Sequence, residues 1–273
     1  MDDATRIAAA QAAYRRRQGG LRGARGQRAT LLLTLAIALA ASWHLAGVDL
    51  AKLVTGVPKM GHWLMQAWPP ALEELPIFLL RTGETIAIAF LGTFIAAVLA
   101  VPVAFFAARG ITPLPWLRVP LRWTLNAFRG IDSFVFALIL VAAVGLGPFA
   151  GMLGVMLHTW GSCAKLFADQ IETMSLETTE ALEAGGAGRS VAFRYALLPD
   201  LAPAWASIAL YLFEFNVRAS TVLGVVGAGG IGQELKASMD LLDFARLATI
   251  IIVILVAVTL IDTLSAWTRR RLA

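Results

Sequence analysis

Long apolar runs separated by short polar stretches occupy the chain from about residue 29 onward. A helix needs about 20 mainly apolar residues to cross a bilayer. Runs near that length occur at 29–48, 76–107, 131–147, 149–170, 201–225 and 245–267. The pattern predicts an all-α polytopic membrane protein with about six transmembrane helices. The second run is long enough to tilt or extend beyond the bilayer, with Pro102 as an expected kink; the third is short and ends at the turn Gly145-Leu146-Gly147-Pro148. The organisation that follows is a basic tail over 1–28, a first transmembrane helix with an outer loop over 29–75, and the main transmembrane domain over 76–273. A polar loop at about 172–200 interrupts that domain.

Composition excludes a soluble domain: 58% of the 273 residues are hydrophobic and 15% charged, and the mean hydropathy is +0.72. Charge then sets orientation, because basic residues are retained on the cytoplasmic side. Arg6, Arg15, Arg16, Arg17, Arg22, Arg25 and Arg28 precede the first run; Arg109, Arg118, Arg122 and Arg129 lie between the second and third; Arg189 and Arg194 sit in the polar loop; Arg269, Arg270 and Arg271 close the chain. Both termini and the polar loop are therefore expected in the cytoplasm, with multi-pass insertion in the membrane. The excess of arginine is a topology signal and not a nucleic-acid footprint. The first run follows a long basic stretch and lacks a convincing cleavage site at Ala41-Ser42-Trp43, which predicts a retained anchor. Trp63, Trp68, Pro69 and Pro70 suit an outer interfacial segment, and the single cysteine, Cys163, suits helix packing.

The polar loop carries the most informative spacing. Glu180-Ala181-Leu182 is followed after three residues by Gly186, and after nine more by Ala196-Leu197-Leu198-Pro199. Thr178, Thr179 and Glu180 are suited to opening a helix. Glycines at 185, 186 and 188 favour an elbow, and a second helical piece is expected from Arg189 to Leu198, ended by Pro199. This spacing resembles the coupling signature of ABC importer permeases, with Leu182 and Ala196 as departures from its usual residues. The resemblance implies a type I ABC importer permease fold and assigns Glu180, Ala181, Gly186, Leu198 and Pro199 to contact with a separate ATPase.

Gly227-Ala228-Gly229-Gly230-Ile231-Gly232 matches the letters of a dinucleotide fingerprint. That fingerprint needs a preceding strand and an acid about 20 residues on, whereas here apolar runs flank the glycines. Gly227, Gly229, Gly230 and Gly232 are instead read as a re-entrant or gate loop on the outer side. Around them, Ala142–Gly151, Lys165–Ala168, Phe213–Ala219 and Val222–Leu235 resemble the phosphonate-uptake permease family, in a similarity running from about Arg81 to Arg269. It implies a homodimer with two cytoplasmic ABC ATPase subunits and a periplasmic or lipid-anchored binding protein. The expected cargo is a phosphonate or a related phosphorus oxyanion: phosphate, phosphite or a phosphate ester. No cofactor is expected on this chain, since ATP and Mg belong to the partner ATPase and no Walker A motif occurs.

Ionisable groups inside a membrane are costly and mark interior or aqueous surfaces. His158 and Lys165 share a face of the fourth run, while Glu214, Asn216 and Arg218 cluster in the fifth. Arg218 and Lys165 are the expected cationic contacts for an oxyanion. Two structural readings stand beside this one: Glu214 and Arg218, at i and i+4, can pair with each other, and Lys165 can snorkel or meet Asp169. Glu84 and Asp132 are weaker candidates. An intramembrane enzyme would need grouped ligands or a nucleophile with its base, but His44, His62 and His158 are scattered, and no metal site is expected. A passive channel would have no use for a coupling loop.

Overall fold

The computed structural model describes residues 27–28, 30–109, 112, 114–174, 177–186, 188, 191 and 193–272. The expected tail up to residue 26 and Arg189 lie outside these residues. Two compact units divide the chain, 1–62 and 63–273. In the first, helix α1 (Thr30–Leu45) meets α2 (Leu50–Gln66) at a bend of 55°. Asp49 opens α2 by accepting hydrogen bonds from the Ala51 and Lys52 amides. Much of the expected outer loop is therefore helical.

The second unit is all-helical among the described residues. Its elements are α3 (Leu75–Ala107), α4 (Pro115–Gly130), α5 (Ser133–Val144), α6 (Pro148–Thr173), α7 (Glu177–Ala184), α8 (Leu198–Leu223), α9 (Ile231–Asp240) and α10 (Phe244–Leu272). Helices α3, α4, α6 and α8 each carry a proline in the first turn, where its fixed φ fits and its missing N–H costs no intrahelical bond. Pro199 is one of these, so it begins α8 and does not end a helix. A π-turn over Phe193–Leu197 leads directly into α8. Proline crowds the carbonyl four residues back, which here is that of Tyr195, and the wider turn opens the backbone at that point.

Among the described residues, three helices are long and apolar enough to cross a membrane: Leu75–Ala107, Arg194–Val226 and Phe244–Arg271. The count reaches five if each bent pair forms one span; α4 and α5 form such a pair, with an 87° bend. The expected span at 131–147 is a 12-residue helix, about 18 Å long and too short to cross by itself. Helix α6, at 26 residues, has the length to cross but carries many polar and small residues.

That composition follows from its position between α3, α4, α5 and α8. Buried Ala100, Ala104 and Ala107 on α3 join Cys163, Ala164 and Ala168 of α6 in one core. A Cβ on Gly154 would stand 2.8 Å from the Ala137 amide nitrogen, and one on Gly161 2.8 Å from that of Arg129. Small residues allow such close approach, which drives helix association where lipid offers no hydrophobic force. Cys163 is fully buried in this packing. Helix α3 runs unbroken through Pro102.

Candidate functional site

The segment expected to meet an ATPase forms a helix and an elbow. Glu180 and Ala181 lie in α7, and Gly186 follows its end at φ +89°, a left-handed conformation that side chains resist. Apart from its chain neighbours, no atom of the described residues lies within 4 Å of where a Gly186 side chain would begin. Pro199 is exposed and Leu198 half-buried, while Ala196 and Leu197 turn into the protein. Of the expected helix–elbow–helix knob, α7 and the elbow are present; the second arm is described continuously only from Phe193, as the π-turn that runs into α8.

The intramembrane polar residues separate into distinct environments. Arg218 does not pair with Glu214: its Nη2 donates to Asp262 Oδ1 on α10 at 3.0 Å. Glu214, which is buried, lies 2.6 Å from Arg269 Nη1, close enough for an ion pair though not aligned as a hydrogen bond. The i, i+4 spacing permits a local pair, but α10 presents opposite charges to both residues and wins each of them. Asn216 is 1% exposed and donates to Thr93 Oγ1 and Thr159 Oγ1, each at 2.8 Å, joining α8 to α3 and α6. Its geometry is that of interhelical glue.

Among the described residues Lys165 meets neither Asp169 nor another carboxylate; its Nζ donates to the neutral Asn126 Oδ1 of α4 at 2.6 Å. His158 Nδ1 lies 2.8 Å from the Ile131 carbonyl oxygen, which can only accept, so Nδ1 carries the proton and Nε2 is left without that bond. Both residues face the α4–α5 bend. Asp132, at that bend, caps α5 by accepting from the Phe134 amide at 2.8 Å, a structural role.

The glycine loop follows a helix, and no strand occurs among the described residues, so the dinucleotide geometry is missing there. Gly227, Gly229 and Gly230 all have positive φ. At Gly230 a side chain would also strike Thr85 Oγ1, the atom that accepts from the Ile231 amide at 2.8 Å. Gly232 sits against the Thr221 carbonyl and the Gly224 backbone. The Gly147 amide donates to the Gly227 carbonyl at 2.9 Å, tying the loop to the turn before α6.

Two charge clusters escaped notice in the sequence. Beside the glycine loop, Arg81 bridges Glu84 at 2.8 Å and Glu234 at 3.6 Å, while Arg246 bridges Glu74 and Glu234 at 2.7 Å each. At the far end of α6, Glu172 Oε1 accepts from the Arg109 amide at 2.6 Å and from Arg122 Nη2 at 2.8 Å, with Arg118 Nη2 at 3.5 Å. Arg118 and Arg122 read in the sequence as topology signals. Their i, i+4 spacing on α4 and the i, i+3 spacing of Asp169 and Glu172 on α6 were the available signal.

Residues 100–273 match the family described as the binding-protein-dependent transport system inner membrane component. The chain belongs to that family. As a binding-protein-dependent inner membrane component it is a multi-pass transport subunit. HtxC of Stutzerimonas stutzeri, whose provisional name is that of a phosphite transport system permease protein, is 43% identical over 87% of this chain and 84% of its own length. The phosphite transport system permease protein PtxC of the same organism is 37% identical over 87% of this chain and 86% of its length. The inward-facing MetNI methionine ABC transporter matches with a TM-score of 0.66 and 22% identity, covering 74% of this chain and 99% of the compared chain. That likeness establishes the ABC importer permease fold.

Proposed function

We propose that this inner membrane component is the permease of an ATP-driven importer of phosphorus oxyanions, with phosphite as the first candidate and phosphonate, phosphate and phosphate esters as the alternatives. The observation that carries the substrate class is the similarity to phosphite permeases over more than four fifths of both chains. Site chemistry supports it: Lys165 is a half-buried cation whose hydrogen-bond partner is a neutral amide, leaving its charge available to an anion. Arg218 takes second place because Asp262 already balances it. The working assembly is a homodimer with two ATPase subunits, which bind ATP and Mg, and a substrate-binding protein.

Helix α7 and the elbow at Gly186 dock on the ATPase from the cytoplasmic side, using Glu180, Ala181, Gly186, Leu198 and Pro199. Gly227, Gly229, Gly230 and Gly232 form the outer gate. Alternating access moves the oxyanion along a path that includes Lys165 and His158, while Asn216 and Glu214 hold the helices around it. Weak contact suits this path, because tight binding would hinder release.

The test is uptake in a strain lacking other phosphorus importers and supplied with this permease, its ATPase and its binding protein. Phosphite accumulation that depends on all three is the expected result. Failure to take up phosphite, methylphosphonate or phosphate above the empty-vector level would refute the substrate class. Gly186→Trp should abolish uptake at an unchanged membrane level, and normal uptake in that variant would refute docking at the elbow.

A further inference from the structure

Glu172 occupies an electrostatically unfavourable position. It lies in the last turn of α6, where exposed carbonyls concentrate the negative end of the helix dipole, and that turn contains no basic residue. Asp169 stands one turn earlier on the same face. Compensation comes from other elements: the Arg109 amide just beyond α3, and the Arg118 and Arg122 guanidinium groups of α4. Arg122 extends the junction further, with Nε donating to the Ala107 carbonyl at 2.9 Å and Nη2 lying 3.1 Å from Asp169. The C-terminal ends of α3 and α6 and the first half of α4 thus share one set of ion pairs and charge-assisted hydrogen bonds, with the Arg109 and Arg122 bonds to Glu172 the short ones.

The junction lies at the entrance to α7, which begins at Glu177, five residues after Glu172. Helix α4 runs from the junction past Asn126, the partner of Lys165, to the 87° bend into α5. A displacement of α7 transmitted through the last turn of α6 would therefore pull α4 by its arginines and shift the Asn126–Lys165 contact.

We propose that Glu172 is a positioning residue that transmits movement of α7 to α4. This rests on α7 being the ATPase-coupling helix. Asp169 assists, and Arg122 is the receiving group because its fork reaches α3 and α6 together.

The test uses the full complex with its ATPase and binding protein in lipid, Cys163 being replaced by serine and one permease copy per complex carrying spin labels. Labels at the exposed Ala184 on α7, Thr124 on α4 and Leu260 on α10 report pairwise distances without nucleotide and in the ATP-trapped state. In the otherwise unaltered chain, Ala184 and Thr124 should keep their separation while both shift relative to Leu260. Glu172→Gln retains an acceptor for the Arg109 amide but removes the charge. It should abolish the Thr124 shift and leave the Ala184 shift intact. Arg122→Lys keeps the charge and removes the fork, and should produce the same loss should Glu172→Gln disturb assembly. Persistence of the Thr124 shift in both variants would overturn the relay. A stationary Ala184 in the unaltered chain would refute the coupling role of α7 and the relay with it, whereas Ala184 moving without Thr124 would overturn the relay alone.

Discussion

At the residue scale, the partner of each charge decides what its removal does. Lys165 has a neutral partner, so Lys165→Ala should lower uptake by about tenfold, the factor carried by about 1.4 kcal/mol of lost transition-state contact. Lys165→Arg should retain most transport. Arg218→Ala should reduce the amount of assembled complex while uptake per complex is maintained, and the exchange Arg218→Asp with Asp262→Arg should restore assembly. Uptake normalised to purified complex distinguishes these outcomes; equal loss per complex in Lys165→Ala and Arg218→Ala would reverse the assignment. The polar character of both residues was legible in the sequence, as was the small-residue packing role of Cys163. Their partners were not, because Asn126 is 39 residues from Lys165 and Asp262 is 44 from Arg218.

At the element scale, the glycine loop joins a conformational requirement to close packing. Gly230 has φ +76°, and an added Cβ would collide with the hydroxyl that holds the Ile231 amide. Gly230→Ala should therefore lower both the thermal stability of the purified complex and its uptake, whereas Thr85→Ser should preserve both by keeping the acceptor. Calorimetry or a thermal-shift measurement on detergent-solubilised complex checks the first effect. A Gly230→Ala variant as stable as the parent would mean that the loop can relax away from α3. The sequence marked these glycines as a turn between apolar runs, and Gly186 as an elbow, from glycine's conformational freedom alone. It misplaced the end of a helix at Pro199, since the rule that proline disfavours the preceding helical residue gives way where a π-turn relieves the clash.

At the scale of the whole molecule, the arginine distribution makes a topology prediction. With the coupling segment inside, the stretch around residues 55–70 is expected outside. Gly61→Cys, in a chain with Cys163 replaced by serine, should react with an impermeant thiol reagent in intact cells; outside its own helix backbone, no atom of the described residues lies within 4 Å of this position. Labelling only after lysis would invert that arrangement. The extent of helix in this region does not affect the test, because α2 exposes Gly61.

Apolar run lengths, arginine placement and motif spacing are local properties of a chain, and they suffice for an all-α membrane protein, its family and the elbow at Gly186. They also mark intramembrane polar groups as exceptional, because lipid penalises each one wherever it lies. Which group meets which depends on how α4, α6, α8 and α10 pack. That packing gives Glu214 to Arg269, Arg218 to Asp262, Asn216 to two threonines and Lys165 to a neutral amide. It also gathers Arg109, Arg118, Arg122, Asp169 and Glu172 at one junction. Such pairings span tens of residues and depend on which helices lie side by side, as where α6 approaches α5 at Gly154 and α4 at Gly161, so no periodicity along the chain encodes them.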